Sequence, residues 1–589
     1  MQYDDILRHI GAFGKYQKVL ILVLVAYNIP TGCQFLVQVF LAPDTDHWCV
    51  IQGSQPTNCS QLFEAECQEL LKNYGIPYEL SPNGNKVYSS CERYVMDDED
   101  TGSGLGPNAT DVRPCDAGWD FDRSRYKSTI IEDYSLVCDR ADYAGLAQSV
   151  WFVGLLVGSV VWGWSGDLLG RRKTFLICLL LVTVSSIGTA FIPNFPAFVV
   201  LRVITAACVY GSFLVTFIIA SEMVESKKRV FVGTLFNLFF SFGLMLLSVM
   251  AFLLREWRHL QLAISLQFVF FLPLLLLLPE SPRLLMSKGK FDEAIAILTK
   301  IAKVNGTKVP ENPFDTSDDV KLSVLNQRSS VTQLDLVRTP NLRRITLIMW
   351  CDWFVVNMVY YGLSLSTSTL GIDDYLAAFV AGAVEIPSLF FSWYVMERFG
   401  RRLTMVALYV AGGVACLITI FLPLGAARAA VAMVGKFAIT AVFNHVYIYA
   451  CELFPTVIRS TGIGACSMVA RVSGILCPFI VILGKHWVPL PLLVFGTCSV
   501  IAGILSLMLP ETLGRNLPNT IAEGEQFGKS SSFFFCVNSA CHSQGVNTAQ
   551  PPADFELQST NLYDGVPQPS GAYMPLSSRE EPPTAAVNI

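Results

Sequence analysis

Three ionisable residues, Asp352, Glu385 and Arg471, lie in stretches of sequence that are otherwise almost wholly apolar. On membrane-insertion scales such a charge costs roughly 2.5 to 3.5 kcal/mol, so each calls for a partner or a task. Two compatible tasks suit Glu385 and Arg471: an ion pair with each other, or contact with an ammonium and a carboxylate of a bound solute. Asp352 stands near the end of its stretch and is expected only to snorkel towards water. Trp353, Asn357, Tyr360 and Ser364 recur at intervals of four, three and four residues, with Tyr361 beside them, which puts them on one helical face. Asn444, Tyr447 and Cys451 form a second such stripe, and Ser467, Arg471 and Gly474 a third. Aromatic faces attract quaternary ammonium groups and arginine pairs with carboxylates, so the set fits an amphiphilic solute. Ordinary helix packing is the competing account of the aromatics.

The elements that carry these residues follow from composition. Of 589 residues, 52% are hydrophobic and 15% charged, and the mean hydropathy is +0.47. A helix needs about 20 mostly apolar residues to cross the hydrocarbon core while satisfying its own backbone. Twelve runs meet that need: 19–42, 143–165, 174–193, 197–220, 230–254, 259–279, 345–371, 375–396, 403–424, 429–451, 459–484 and 488–509. The first follows Lys15 and Lys18 but is too long for a signal peptide, so a retained helix is expected. The fold class is therefore all-α and integral to a membrane.

An even number of spans puts both termini on one side, and positive charge in short loops says which. Arg171, Arg172 and Lys173, then Lys227, Lys228 and Arg229, then Arg398, Arg401 and Arg402 mark the cytoplasmic loops. The segment 43–142 is long, acidic and on the opposite side. Its cysteines Cys49, Cys59, Cys67, Cys91, Cys115 and Cys138 are expected to pair as disulfides whose connectivity the sequence leaves open. Its sequons at Asn58 and Asn108 agree with extracellular glycosylation, whereas the sequon at Asn305 falls on the cytoplasmic side and is expected to stay unmodified. Most other cysteines lie in the spans and read as small hydrophobic side chains; Cys536 and Cys541, beside Phe533, are palmitoylation candidates. The tail is rich in Ser, Pro, Gln and Asn, and reads as disordered, with room for cytoplasmic partners.

Landmarks in the two halves repeat in register. Asp167, Gly170, Arg171 and Arg172 return 230 residues later as Glu397, Gly400, Arg401 and Arg402, and Glu222 and Arg229 return as Glu452 and Arg459. Pro279-Glu280 returns at 231 as Pro510-Glu511. Such a repeat points to two six-helix halves around a midplane site. The expected segments are a cytoplasmic 1–18, a first half 19–279, a cytoplasmic linker 280–344, a second half 345–509 and a tail 510–589. In the repeated turns glycine permits a tight reversal, and the arginines are expected to pair with acids at neighbouring helix ends as gates. Glu385 and Arg471 have no charged counterparts at the matching first-half positions, Leu155 and Ser241. There is no sign of a catalytic triad, a metal cluster, a phosphate loop or a nucleic-acid motif, so neither enzyme activity nor a cofactor is expected.

The chain also resembles solute carrier family 22, the organic cation, organic anion and carnitine transporters of the major facilitator superfamily, over about residues 11–515. The resemblance rests on Phe13-Gly14-Lys15-Tyr16-Gln17, Asp46-His47-Trp48-Cys49, Cys115-Asp116-Ala117-Gly118-Trp119, Leu136-Val137-Cys138-Asp139-Arg140, Pro279-Glu280-Ser281-Pro282-Arg283, Glu452-Leu453-Phe454-Pro455-Thr456 and Pro510-Glu511-Thr512-Leu513-Gly514. It implies the twelve-helix major facilitator fold with a large extracellular loop between helices one and two, and alternating access at the plasma membrane. It further implies that an arginine at Arg471 marks anion and carnitine-type carriers, that Glu385 matches cation and carnitine-type carriers, and that Leu389 departs from the basic residue of anion carriers. The combination suits zwitterions and cations such as carnitine-, betaine- or ergothioneine-like compounds. Organic anion exchange is the alternative within the class, and a non-transporting receptor or scaffold the alternative outside it. Leu168, Ala206 and Asp352 depart from the family pattern, and sodium and proton coupling both stay open.

Overall fold

The computed structural model describes residues 3–51, 72–73, 75–80, 86–94, 112–273, 278–310, 334–485, 487–515, 517–518 and 520–528. A short α1 (Tyr3–His9) leads into the first-half helices α2 (Lys15–Leu36), α3 (Tyr143–Leu168), α4 (Arg171–Thr189), α5 (Phe195–Glu222), α6 (Ser226–Leu253) and α7 (Trp257–Val269). Then come α8 (Pro282–Ser287) and α9 (Phe291–Asn305). The second half comprises α10 (Pro340–Leu365), α11 (Asp374–Phe399), α12 (Arg401–Phe421), α13 (Ala426–Leu453), α14 (Arg459–Leu483) and α15 (Leu490–Ser506), followed by α16 (Ile521–Gln526). Among the described residues ten helices are long and apolar enough to cross a membrane. The sixth and twelfth expected spans correspond to the shorter α7 and α15, and residues 274–277 of the sixth lie outside the described residues.

Local sequence sets the helix ends. Asn194 accepts from the Ala197 N–H ahead of the Phe195-Pro196 start of α5, and Asp373 caps α11 through the Leu376 N–H. Gly170, between α3 and α4, has φ of +106°, and Gly400, between α11 and α12, has φ of +89°. A β-carbon at either would come within 2.6 Å of the carboxylate of Glu280 or Glu511. The repeated turn thus needs glycine twice over, for its backbone angle and for the acid seated against it.

Within the first half α3 and α4 both pack on α5; within the second, α10 packs on α14, and α12 on α13 and α15. The halves meet where α6 lies against α11 and where α14 lies against α3. Close approach depends on small residues: a β-carbon on Gly474 would sit 2.5 Å from Phe152, and one on Gly382 3.2 Å from Leu244 and Met245. On the side bearing the 43–142 segment, the loop side, Asp374 accepts from Arg125 at 3.0 Å and from the Tyr126 hydroxyl at 3.2 Å. Tyr375 stacks on Phe40 there, and Lys485 donates to the Ala141 carbonyl. These contacts close the loop side.

The described part of the loop forms three antiparallel two-stranded ladders: His47–Cys49 with Trp119–Phe121, Tyr78–Leu80 with Lys86–Tyr88, and Glu92–Tyr94 with Val112–Pro114. Disulfides join Cys49 to Cys115 and Cys91 to Cys138. Cys59, Cys67, Asn58, Asn108, Cys536 and Cys541 lie outside the described residues.

On the opposite, terminus side, the first residues are built into the fold. Ile6, Leu7 and Ile10 are fully buried, and the Asn305 amide holds the Ile10 carbonyl, Gln17 and the Tyr16 N–H. The expectation of a disordered tail also gives way at its start, because α16 docks on α10. Glu525 accepts from the Asn341 and Leu342 N–H groups, which the helix itself leaves unbonded at its first turn.

Candidate functional site

Midway along the helices Glu385 is nearly sealed from solvent and fully bonded. Lys436 on α13 lies 3.0 Å from it, Tyr360 on α10 donates to it at 2.6 Å, and Ser241 on α6 of the other half donates at 2.8 Å. The Lys436 ammonium also sits 3.4 Å from the centre of the Tyr360 ring and bonds Ser364. The ion pair between Glu385 and Arg471 considered from sequence is therefore not made: Lys436 takes that place. Lys436 was missed, although a lone lysine inside the apolar run 429–451 carries the same signal that marks Glu385. Leu36, Leu244, Leu247, Ala378 and Gly382 wall a small cavity on the loop side of this pair.

Arg471 on α14 is 5% exposed, and its guanidinium lies 4.4 Å from the centre of the Tyr210 ring on α5. Tyr361 and Tyr447 complete the group around it. Its Nε has no hydrogen-bond partner and no carboxylate pairs with it among the described residues. The rings continue outward: Trp353 contacts Tyr447 at 4.3 Å between centres, Tyr360 meets Tyr361 edge-on at 5.2 Å, and Phe152 of the first half meets Tyr361 at 4.8 Å. Ser467 lies beside Tyr210. Tyr210, Phe152 and Ser241 were not singled out from sequence, where aromatics and serines inside apolar runs look like packing.

Two expected site residues bridge helices. Asn357 donates to the Ala470 carbonyl at 2.6 Å and to Ser473, and Asn444 accepts from Asn237 of the other half at 3.4 Å. Asp352 does not snorkel. It is fully buried, accepts from Ser506 at 3.0 Å, and its carbonyl accepts from Tyr409, because α12 and α15 close over that end of α10.

The repeated turns are built alike in both halves. Glu280 accepts from the Arg171 and Arg172 N–H groups, and Glu511 from those of Arg401 and Arg402, each carboxylate closing the start of a helix. Side-chain pairing differs. Arg401 grips Glu452 with two bonds of 3.0 Å, whereas Arg171 bonds Asp167 at 2.8 Å and reaches Glu222 only at 4.0 Å. Glu397 accepts from Trp393 instead. Arg229 pairs with Asp4 at 3.1 Å, and Arg459 bonds the Phe454 carbonyl and Thr456. None of these contacts joins the first half to the second.

The sugar (and other) transporter family model matches residues 117–521. The chain is 38% identical to the organic cation transporter protein of Drosophila melanogaster, over 90% of this chain and 95% of that one. It is 34% identical to human solute carrier family 22 member 13, over 89% and 93%. It is also 34% identical to human organic cation/carnitine transporter 2, over 88% and 93%. Among solved structures, the major facilitator superfamily proton:xylose symporter XylE superposes with a TM-score of 0.55 at 17% identity, over 85% of this chain and 98% of that one, a likeness of fold alone.

Proposed function

The chain belongs to solute carrier family 22, within the sugar (and other) transporter family, and so is a multi-pass membrane transporter of small organic solutes with the major facilitator fold; on that premise we propose that its solutes are zwitterions bearing a carboxylate. The observation that carries this reading is the contrast between two buried charges. Glu385 is neutralised by Lys436, while Arg471 stands among tyrosines without an acid. The site therefore has a spare positive charge, which a carboxylate would meet with charge-assisted hydrogen bonds. The rings of Trp353, Tyr361 and Tyr447 offer faces to an ammonium at the other end of the solute. A carnitine-, betaine- or ergothioneine-like compound has that form, and the likeness to human organic cation/carnitine transporter 2 supports it. Simple cations fit less well, since the one acid of the site is already paired. The same spare charge favours organic anion exchange as a second reading.

Transport proceeds by alternating access at the plasma membrane, with both termini and the 280–344 linker cytoplasmic and the 43–142 segment outside. The positively charged short loops at Arg171, Lys228 and Arg401 support this orientation, as do the two disulfides, which suit an oxidising exterior. In that orientation the structure is a state closed to the outside.

Uptake by the reconstituted protein of a panel of cations, zwitterions and anions tests the reading. Zwitterion uptake is expected to dominate. Arg471→Gln is expected to lower kcat/KM for a carnitine-type substrate by about 10- to 100-fold, the worth of about 1.5–3 kcal/mol for a hydrogen bond to a charged group. A tetraalkylammonium substrate should change little. Equal losses for both classes would refute the role given to Arg471, and uptake confined to anions would favour the second reading.

A further inference from the structure

A further buried cation lies in the first half, well away from Arg471 along the chain and on the loop-side part of its helix. Arg202 on α5 is 1% exposed, with its guanidinium 4.1 Å from the centre of the Trp151 ring on α3. It makes one hydrogen bond, to the side-chain Oε1 of Gln38 at 3.4 Å, and no charged group faces it among the described residues. Four N–H donors in this cluster have no acceptor there: Arg202 Nε and Nη1, Gln38 Nε2 and Trp151 Nε1. One turn before Trp151, Gln148 is buried with both amide atoms unpartnered.

The two halves differ here in an instructive way. At the 230-residue offset Arg202 matches Ala432, one helical turn before Lys436 on the same face of α13. Lys436 has its acid, Glu385, on α11. At the offset from Glu385 the first half has Leu155 on α3. The first half therefore keeps a buried cation between the corresponding helices and lacks the acid that neutralises its counterpart. A buried unpaired ion costs more than contact with an indole face returns, so the cation–π contact does not balance it. Water would accept from the free donors but bring no charge.

We infer that Arg202, Gln38 and Trp151 form a binding site for a small monovalent anion of halide type, which takes the place that Glu385 fills in the second half. The anion accepts from the unpartnered N–H groups and cancels the guanidinium charge. It lies between α3, α5 and the turn Gln38–Leu41 after α2, apart from the Arg471 site, and the inference does not depend on the substrate class proposed above. Its occupancy stabilises the closed loop side, because that turn and α3 each also contact the second half, through Phe40 with Tyr375 and Phe152 with Tyr361.

The test is thermal unfolding of the purified full-length protein in detergent, titrated with sodium chloride or sodium bromide against sodium gluconate at constant ionic strength. Chloride and bromide are expected to raise Tm by several degrees with a saturating midpoint. Arg202→Gln should abolish that dependence, Gln38→Leu should move its midpoint to higher concentration, and Arg471→Gln should leave it intact. Should Arg202→Gln not fold, Gln38→Leu alone decides the matter. Anomalous scattering from bromide crystals should place the ion beside Arg202. The proposal is overturned if wild type shows no difference between chloride and gluconate, if the difference survives unchanged in Gln38→Leu, or if it vanishes in Arg471→Gln.

Discussion

Lys436→Met separates the two roles open to Glu385. In the native arrangement both side chains are 3% exposed and 3.0 Å apart, and Glu385 has two further donors, Tyr360 at 2.6 Å and Ser241 at 2.8 Å. Removing one partner of a buried pair usually costs about 3–5 kcal/mol, because the other charge is left uncompensated. The two hydroxyls remain, so the loss should fall near the lower end, about 3 kcal/mol. Replacing both charges, as Lys436→Met with Glu385→Gln, removes the uncompensated ion and should recover about 2 kcal/mol of that loss. A double-mutant cycle read by unfolding in detergent measures the coupling directly. Transport gives a second readout. With its lysine gone, Glu385 becomes the acid available to an organic cation, so uptake of tetraethylammonium relative to carnitine should rise by about 10-fold or more, as expected for a new charge-assisted contact of about 1.5–3 kcal/mol. A single mutant that loses less than about 1 kcal/mol, gains nothing from the second substitution and keeps its selectivity would refute the neutralisation of Glu385 by Lys436.

Three further outcomes follow from the geometry. Val39 lines the small cavity on the loop side of Glu385; because Arg125 is half-exposed, its pair with Asp374 is worth about 1 kcal/mol, so Arg125→Ala should speed labelling of Val39→Cys by an impermeant maleimide about 5-fold, and the charge exchange Arg125→Asp with Asp374→Arg should slow it again; unchanged labelling refutes a latch. The Cys49–Cys115 disulfide closes a separation of 66 residues, worth about 4 kcal/mol in the chain-entropy account, so Cys115→Ser should sharply reduce the amount of protein accessible to surface biotinylation, and normal surface levels would count against it. Arg401 holds Glu452 with two short bonds while Arg171 reaches Glu222 only at 4.0 Å, so Arg401→Ala should lower kcat more than Arg171→Ala; the reverse order would show that the pairing seen here is not the one that matters in turnover.

Much of the architecture is legible in the chain because hydrocarbon imposes a length and an apolar composition on every span, and because the repeat of Gly170-Arg171-Arg172 at Gly400-Arg401-Arg402 registers one half on the other. Arg471 and Glu385 stand out for the same reason, as charges where charge is costly. Partners are harder to read. Helical periodicity says which residues share a face of one helix, whereas the ion pair of Glu385 runs between α11 and α13, and its bond to Ser241 crosses to the other half. Asp352 illustrates the same limit from the other direction. Its position near a helix end suggests access to water, but burial there depends on α12 and α15, which no local pattern around residue 352 reports. In the repeated turns the spacing suggests acids at neighbouring helix ends as partners for the arginine side chains, but it does not show that Glu280 and Glu511, more than 100 positions away, accept from the backbone N–H groups.

The place of Asn305 also says something about the order of events during synthesis. Its amide completes the packing of Tyr16, some 289 positions earlier in the chain, and of Ile10 and Gln17 beside it. At a translation rate of about 5–20 residues per second, the opening segment waits roughly 15 to 60 s for its partner to leave the ribosome. For that interval the Ile10 carbonyl and the Gln17 amide lack these partners, so the packing of residues 10–17 is finished by a piece made only after the whole first half.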